Sequence, residues 1–148
     1  MIYIASDHTG LKLKKHISDF LFLQKIEFKD LGPQELDPND DYPDFAIDVC
    51  TKVLEDPRVN RGILICKNGV GMVITANRLH GIRATLSWNP QHAQSSRLDD
   101  DTNVLCLPAE YINERDALGI VETWLHTDFL NEDRYIRRLQ KIENIIRI

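Results

Sequence analysis

The stretch Gly62-Ile63-Leu64-Ile65-Cys66-Lys67-Asn68-Gly69-Val70-Gly71 decides the fold. Its first five residues are apolar throughout, the pattern of a strand buried on both faces, as in a parallel sheet. It runs directly into two glycines, and residues 69–78 then read as a helix. A buried strand feeding a helix through a tight turn is the repeating unit of an α/β domain.

Working outward, the same alternation recurs. Residues 2–6 read as a strand and residues 11–26 as a helix, with Leu11, Leu13, Ile17, Leu21 and Ile26 near helical spacing. A second short strand, 28–31, stops at Gly32-Pro33. Residues 34–44 are acidic and proline-rich, hence a surface loop. Pro43 can open the next helix, whose apolar side carries Phe45, Ile47, Val49 and Val53. Beyond the central stretch, 82–86 and 103–107 read as strands. Residues 90–97, 114–126 and 133–146 read as helices. The expected architecture is a Rossmann-like three-layer domain spanning residues 1–148. It has a five-stranded parallel sheet, helices on both faces and a C-terminal helical extension.

Composition narrows the function. With 148 residues and 43% hydrophobic content, one compact core is expected. The net charge of −5 argues against nucleic acid as a partner, which favours a basic face. Apolar runs are too short to span a bilayer. No charged segment followed by an apolar run precedes the first strand, so a signal peptide is not expected. Cys50, Cys66 and Cys106 are widely spaced, with no metal-binding pattern. They read as free thiols in a reducing, cytoplasmic compartment.

In open parallel sheets, ligands bind at the carboxyl ends of the strands. That rule selects three segments: 6–10, 66–71 and the polar stretch around 99–103. In the second, Gly69 and Gly71 allow a tight turn whose N–H groups can approach an anion. Cys66 beside a helix start has a route to thiolate reactivity. The same loop also reads as an ordinary strand-to-helix turn with a buried small thiol. Its glycines follow the wrong strand for a dinucleotide fingerprint, and Lys67 precedes them, unlike a phosphate-binding P-loop lysine. Asp7 can cap the next helix, and His8 is either a surface residue or a ligand contact. Arg134 and Arg138, four apart, share one helix face suited to phosphate or to solvent. Asp99-Asp100-Asp101 reads as a solvated, helix-capping cluster rather than a metal site.

Taken in order, several segments carry a wider likeness: Ser6-Asp7-His8-Thr9-Gly10, Asp41-Tyr42-Pro43, the Gly62–Gly71 stretch, Ala76-Asn77-Arg78, Gly81-Ile82-Arg83-Ala84, Asp101-Thr102-Asn103-Val104-Leu105 and the Arg134/Arg138 pair. Together they resemble the ribose-5-phosphate isomerase type B family, which includes galactose-6-phosphate isomerase subunits.

The resemblance implies an aldose–ketose isomerase of phosphorylated sugars that needs no cofactor. It implies a homodimer or homotetramer whose active site is shared between subunits. By position, Cys66 is then the base. Residues Lys67, Asn68, Gly69, Val70 and Gly71 hold the enediolate, and Asp7 meets the sugar hydroxyls. His8, Arg134 and Arg138 hold the phosphate, and Tyr42 lines the pocket.

Three positions depart from the family pattern. Lys67-Asn68 replaces a Gly-Thr pair, and Glu110 stands near a family arginine. Asp99-Asp100 replaces a His-Asn pair whose histidine opens the sugar ring. Asp99 in that role works either partly protonated or as a base on the anomeric hydroxyl, with Asp100 beside the substrate. The departures keep open a six-carbon phosphosugar substrate, or a non-catalytic sugar-phosphate-binding or partner subunit.

Overall fold

The computed structural model describes residues 1–145. Five strands form one sheet: β1 (Ile2–Ser6), β2 (Phe28–Asp30), β3 (Arg61–Cys66), β4 (Ala84–Leu86) and β5 (Val104–Pro108). Their order is β2-β1-β3-β5-β4, and every neighbouring pair is parallel. The helices are α1 (Leu11–Leu23), α2 (Tyr42–Glu55), α3 (Val70–Ala76), α4 (Pro90–Asp100), α5 (Glu114–Leu125) and α6 (Asp133–Glu143). The expected Rossmann-like architecture is therefore present.

Side-chain alternation along β3 builds two cores. Ile63 and Ile65 face α1 and α5, joining Leu13, Ile17, Ile120 and Trp124. Leu64 and Cys66 face α2 and α3, joining Val49, Cys50, Met72 and Ala76. The Trp124 ring is fully buried, and its indole N–H donates to Thr102 Oγ1 at 2.9 Å, so its one polar atom is satisfied.

The chain leaves β1 toward β2 on one side, whereas β3, β5 and β4 lie on the other. That reversal opens a crevice above the carboxyl ends of β1 and β3, the place where such sheets take ligands.

Several boundaries differ from the sequence reading. α1 ends at Leu23 rather than at Ile26, because Lys25 takes a left-handed φ of 58° and turns the chain; Ile26 still packs against the core. β4 begins at Ala84 instead of 82, after Gly81 turns the chain with φ 88°. α4 runs past Arg97 to Asp100, which puts Asp99 and Asp100 on a helix. Asp101, at φ 44°, ends that helix and leads into β5. The segment around 99–103 thus lies at the amino edge of the sheet, not among the carboxyl-end loops, since it precedes its strand. The proposed end of the last helix at Ile146 lies outside the described residues.

Candidate active site

Cys66 is the last residue of β3 and is 4% exposed. The chain turns at once through Gly69, whose φ of 74° is open to glycine and strained for other residues. In that conformation the Gly69 N–H donates to Cys66 Sγ at 3.2 Å. Burial pushes the Cys66 thiol above its ordinary value, and the amides of Gly69, Met72 and Asn68 act against that rise. The anticipated thiolate is therefore not the resting form, because the short α3 does not outweigh desolvation. The other thiols lack this amide support. Burial pushes Cys50 up to about 12 and Cys106 far above the ordinary range. Of the three thiols, Cys66 is the one at the carboxyl end of its strand.

The rest of the loop is held from two sides. Asn68 Oδ1 accepts from the Val70 N–H at 3.0 Å, leaving the Asn68 NH2 group for a ligand. Ala109 N–H donates to the Cys66 carbonyl at 2.9 Å, and Glu110 N–H to the Lys67 carbonyl at 3.0 Å. Lys67 Nζ lies 3.6 Å from Glu110 Oε2, and both side chains are largely exposed. The lysine that adds bulk to the loop is thus turned toward the residue standing near the missing arginine.

Across the crevice, Asp7 is 6% exposed and its Oδ1 accepts from Thr9 N, Thr9 Oγ1 and Gly10 N. It caps the single 3-10 turn His8–Gly10 that leads into α1, rather than α1 itself, whose N-cap position is Gly10, and Oδ2 remains for a ligand. Asp7 N–H also donates to the Ile65 carbonyl at 3.2 Å, tying this turn to β3. His8 Nδ1 sits 2.5 Å from Asp40 Oδ1. That hydrogen bond raises the imidazole above its ordinary value; burial opposes it, and the Asp7 and Asp37 charges assist. Tyr42 opens α2 and packs on Gly71, where an added Cβ would come 2.5 Å from Tyr42 Cζ. Cys66, the 67–71 loop, Asp7, His8 and Tyr42 therefore form one cluster.

Asp99, Asp100, Arg134 and Arg138 do not join it within one chain. They gather at the other edge, around the α4–α6 contact. Arg134 and Arg138 lie 4.6 and 5.7 Å over the Tyr135 ring, and Arg134 Nη2 donates to the Tyr135 hydroxyl at 2.9 Å. Partial burial raises the Asp100 carboxyl, helped by Asp99 and opposed by Arg138. Tyr135 is raised by burial and by its hydrogen bond to Asp99. Cys66 pairs with Pro108 at the carboxyl edge, whereas Asp99 precedes Val104, so the run of β5, about 13 Å, separates the two ends of the strand that these residues flank.

Sequence reasoning missed Asp40 and Tyr135. Asp40 sits in an acidic stretch that reads as solvated, and only folding buries it beside His8. Tyr135 was legible as the residue between two arginines on one helix. Among the described residues, no group of three or more His, Cys, Asp or Glu side chains converges as metal ligands would, and no helix is long and apolar enough to cross a membrane.

The fold defines a Rossmann-like α/β protein whose candidate site lies at the carboxyl edge of its sheet. A profile of the Ribose/Galactose Isomerase family matches residues 2–142, and the chain belongs to that family. It is similar to the crystal structure of ribose-5-phosphate isomerase B from Mycoplasma genitalium with bound ribulose-5-phosphate. The two are 43% identical with a TM-score of 0.93, over 96% of this chain and 93% of that one. The Thermotoga maritima ribose 5-phosphate isomerase structure superposes with a TM-score of 0.92 at 39% identity, over 97% of both chains. A Listeria innocua ribose-5-P isomerase B is 37% identical over 130 residues, 86% of this chain and 85% of that protein.

Proposed function

We propose that this chain interconverts ribose 5-phosphate and ribulose 5-phosphate through an enediolate, with Cys66 as the base. The observation that carries the reading is the Cys66 thiol facing loop amides at the ligand edge of a chain belonging to this family. A relative 43% identical to it holds ribulose-5-phosphate in its crystal structure.

The chemistry needs a base near C1 and C2, donors for the developing oxyanions and a remote anchor for orientation. Cys66 removes the C2 proton of the open-chain aldose and returns a proton to C1. Amides of residues 67–71 and the Asn68 NH2 stabilise the enediolate oxygens. Asp7 meets the sugar hydroxyls, Tyr42 lines the pocket and His8 binds the phosphate. The hydrogen moves within the substrate, so the reaction consumes no external electrons and calls for no cofactor.

The second cluster enters from another copy. With Arg134 and Arg138 on the opposite edge from Cys66, one subunit supplies the base and its partner supplies the phosphate clamp. This favours a homodimer, or a homotetramer built from it, with Asp99 of the partner opening the ring and Asp100 beside the substrate. The raised Asp100 carboxyl is consistent with an acid in that cluster. A cytoplasmic location fits the three free thiols.

The test is an isomerase assay of the purified protein on phosphorylated aldoses and ketoses of five and six carbons. The expected result is turnover of the five-carbon pair that disappears in Cys66→Ala. Absence of any turnover, preference for six carbons, or wild-type turnover in Cys66→Ala would overturn the reading.

A further inference from the structure

We propose that Asp40 is a positioning residue for His8, fixing the imidazole so that its Nε2–H is presented to the substrate phosphate. This rests on the reading of His8 as a phosphate contact.

Asp40 lies in the loop between β2 and α2, and its side chain is 7% exposed. Its Oδ1 lies 2.5 Å from His8 Nδ1, and Oδ2 is buried with no hydrogen-bond partner among the described residues. A buried carboxylate with one side-chain contact is costly unless that contact is needed. Here the contact is a histidine 30% exposed at the crevice. A carboxylate only accepts hydrogen bonds, so Nδ1 must carry the proton. Nε2, on the far side of the ring, has no hydrogen-bond partner among the described residues. The pair therefore leaves one imidazole nitrogen fixed in the protein and the other free.

The charge follows from the same geometry. A neutral imidazole with its proton on Nδ1 offers Nε2 as an acceptor, which a phosphate repels. Only the cation places an N–H at Nε2. The Asp40 carboxylate stabilises that cation, and Asp7 and Asp37 add to it. Lys12, Lys14 and Lys15 of α1 and Asp30 of β2 line the same cleft as His8. Of these, Lys14 is neutralised by Asp30 and Lys12 by Glu114. A histidine held above its ordinary value stays charged at lower pH and loses its charge as pH rises through the raised value. Asp40 thus extends phosphate binding toward neutral pH.

Asp40→Asn keeps an oxygen acceptor for Nδ1–H and removes the charge. The His8 ring is followed by NMR against pH, with and without inorganic phosphate, and KM and kcat are measured against pH. In the variant, the His8 titration should move down and phosphate should bind several-fold more weakly near pH 7.5. KM should rise several-fold there, kcat should change less, and KM should recover at lower pH. Asp40→Glu, which restores the carboxylate, should recover part of both effects. An unchanged His8 titration overturns the proposal, and so does a shifted titration without weaker phosphate binding. Thermal melting of both variants separates these outcomes from misfolding. Because the ring titration and the phosphate measurement need no turnover, an inactive wild-type protein would overturn the isomerase reading and leave this one decided on its own data.

Discussion

The Gly69 amide donates to Cys66 Sγ across 3.2 Å, and it does so from a left-handed φ of 74°. A Cβ at position 69 would collide with the Leu86 side chain and lie 3.3 Å from the Leu107 carbonyl carbon. Gly69→Ala is expected to cost roughly 1–3 kcal/mol of stability from the strained backbone. The amide N–H stays in place chemically, but the collision shifts the 67–71 loop, so turnover should fall by up to ~10²-fold, the limit set by complete loss of one oxyanion donor. Denaturant unfolding and kinetics on ribose 5-phosphate check both.

The raised Cys66 thiol gives the pH dependence a sign. A base works only once deprotonated, and burial has moved that deprotonation above the ordinary thiol value. The kcat on ribose 5-phosphate, taken at saturating substrate so that the His8 charge does not enter through binding, should therefore keep climbing through neutral pH into the alkaline range. Cys66→Ala should lose ~10²–10⁴-fold in rate, the usual worth of a positioned base, and lose this limb with it. A flat pH profile in the wild-type protein contradicts the assignment.

Gly71 and Tyr42 offer a steric probe. A Cβ at 71 would lie 2.5 Å from Tyr42 Cζ and 2.6 Å from Cε2. Tyr42 is 38% exposed, so its ring can swing out and the fold should survive. Gly71→Ala is expected to raise KM with little change in melting temperature, and the added Tyr42→Ala should relieve the steric part. Additive losses in the double variant would place the effect elsewhere.

The separation of Cys66 from Arg138 predicts complementation between inactive variants. Cys66→Ala and Arg138→Ala each spoil a different half of a shared site. Mixing and reassociating them gives hybrid dimers with one intact site, hence about a quarter of wild-type activity for random pairing of dimers. Recovery far below this, with subunit exchange verified, places both residues in one chain's site.

Asp99 should show a directional effect. Ribulose 5-phosphate carries its phosphate on the only hydroxyl that could close a furanose ring, so it enters open-chain. Asp99→Asn is expected to slow the initial rate from ribose 5-phosphate by ~10²-fold and the rate from ribulose 5-phosphate much less. Equal losses would assign Asp99 to another step.

Lys14 supplies a test of stability at a buried ion pair on the wall of the His8 cleft. Its ammonium is 3% exposed and meets Asp30 at 2.8 Å and the Pro33 carbonyl at 2.6 Å. Asp30→Ala leaves that charge buried without a counter-ion and should cost about 3–5 kcal/mol by denaturant unfolding. Adding Lys14→Met should return most of it.

The sequence by itself determined the α/β class, the parallel sheet and the Cys66 turn. These depend on local patterns: an unbroken apolar run for a strand buried on both faces, then two glycines opening a helix. It also marked Asp7 as a capping residue, since a cap reaches only a few residues along the chain, although the turn it caps is His8–Gly10 and not α1. The tertiary structure alone decided which candidates meet. It buried Asp40 beside His8, 32 residues away in sequence. It turned Lys67 toward Glu110, and it gave the Cys66 thiol a burial that outweighs its helix. It also carried Asp99, Asp100, Arg134 and Arg138 to the edge away from Cys66. For Asp99 and Asp100 that placement follows from strand direction, because residues that precede a parallel strand lie at the opposite edge from residues that follow one; Arg134 and Arg138 reach the same edge because α6 packs on α4.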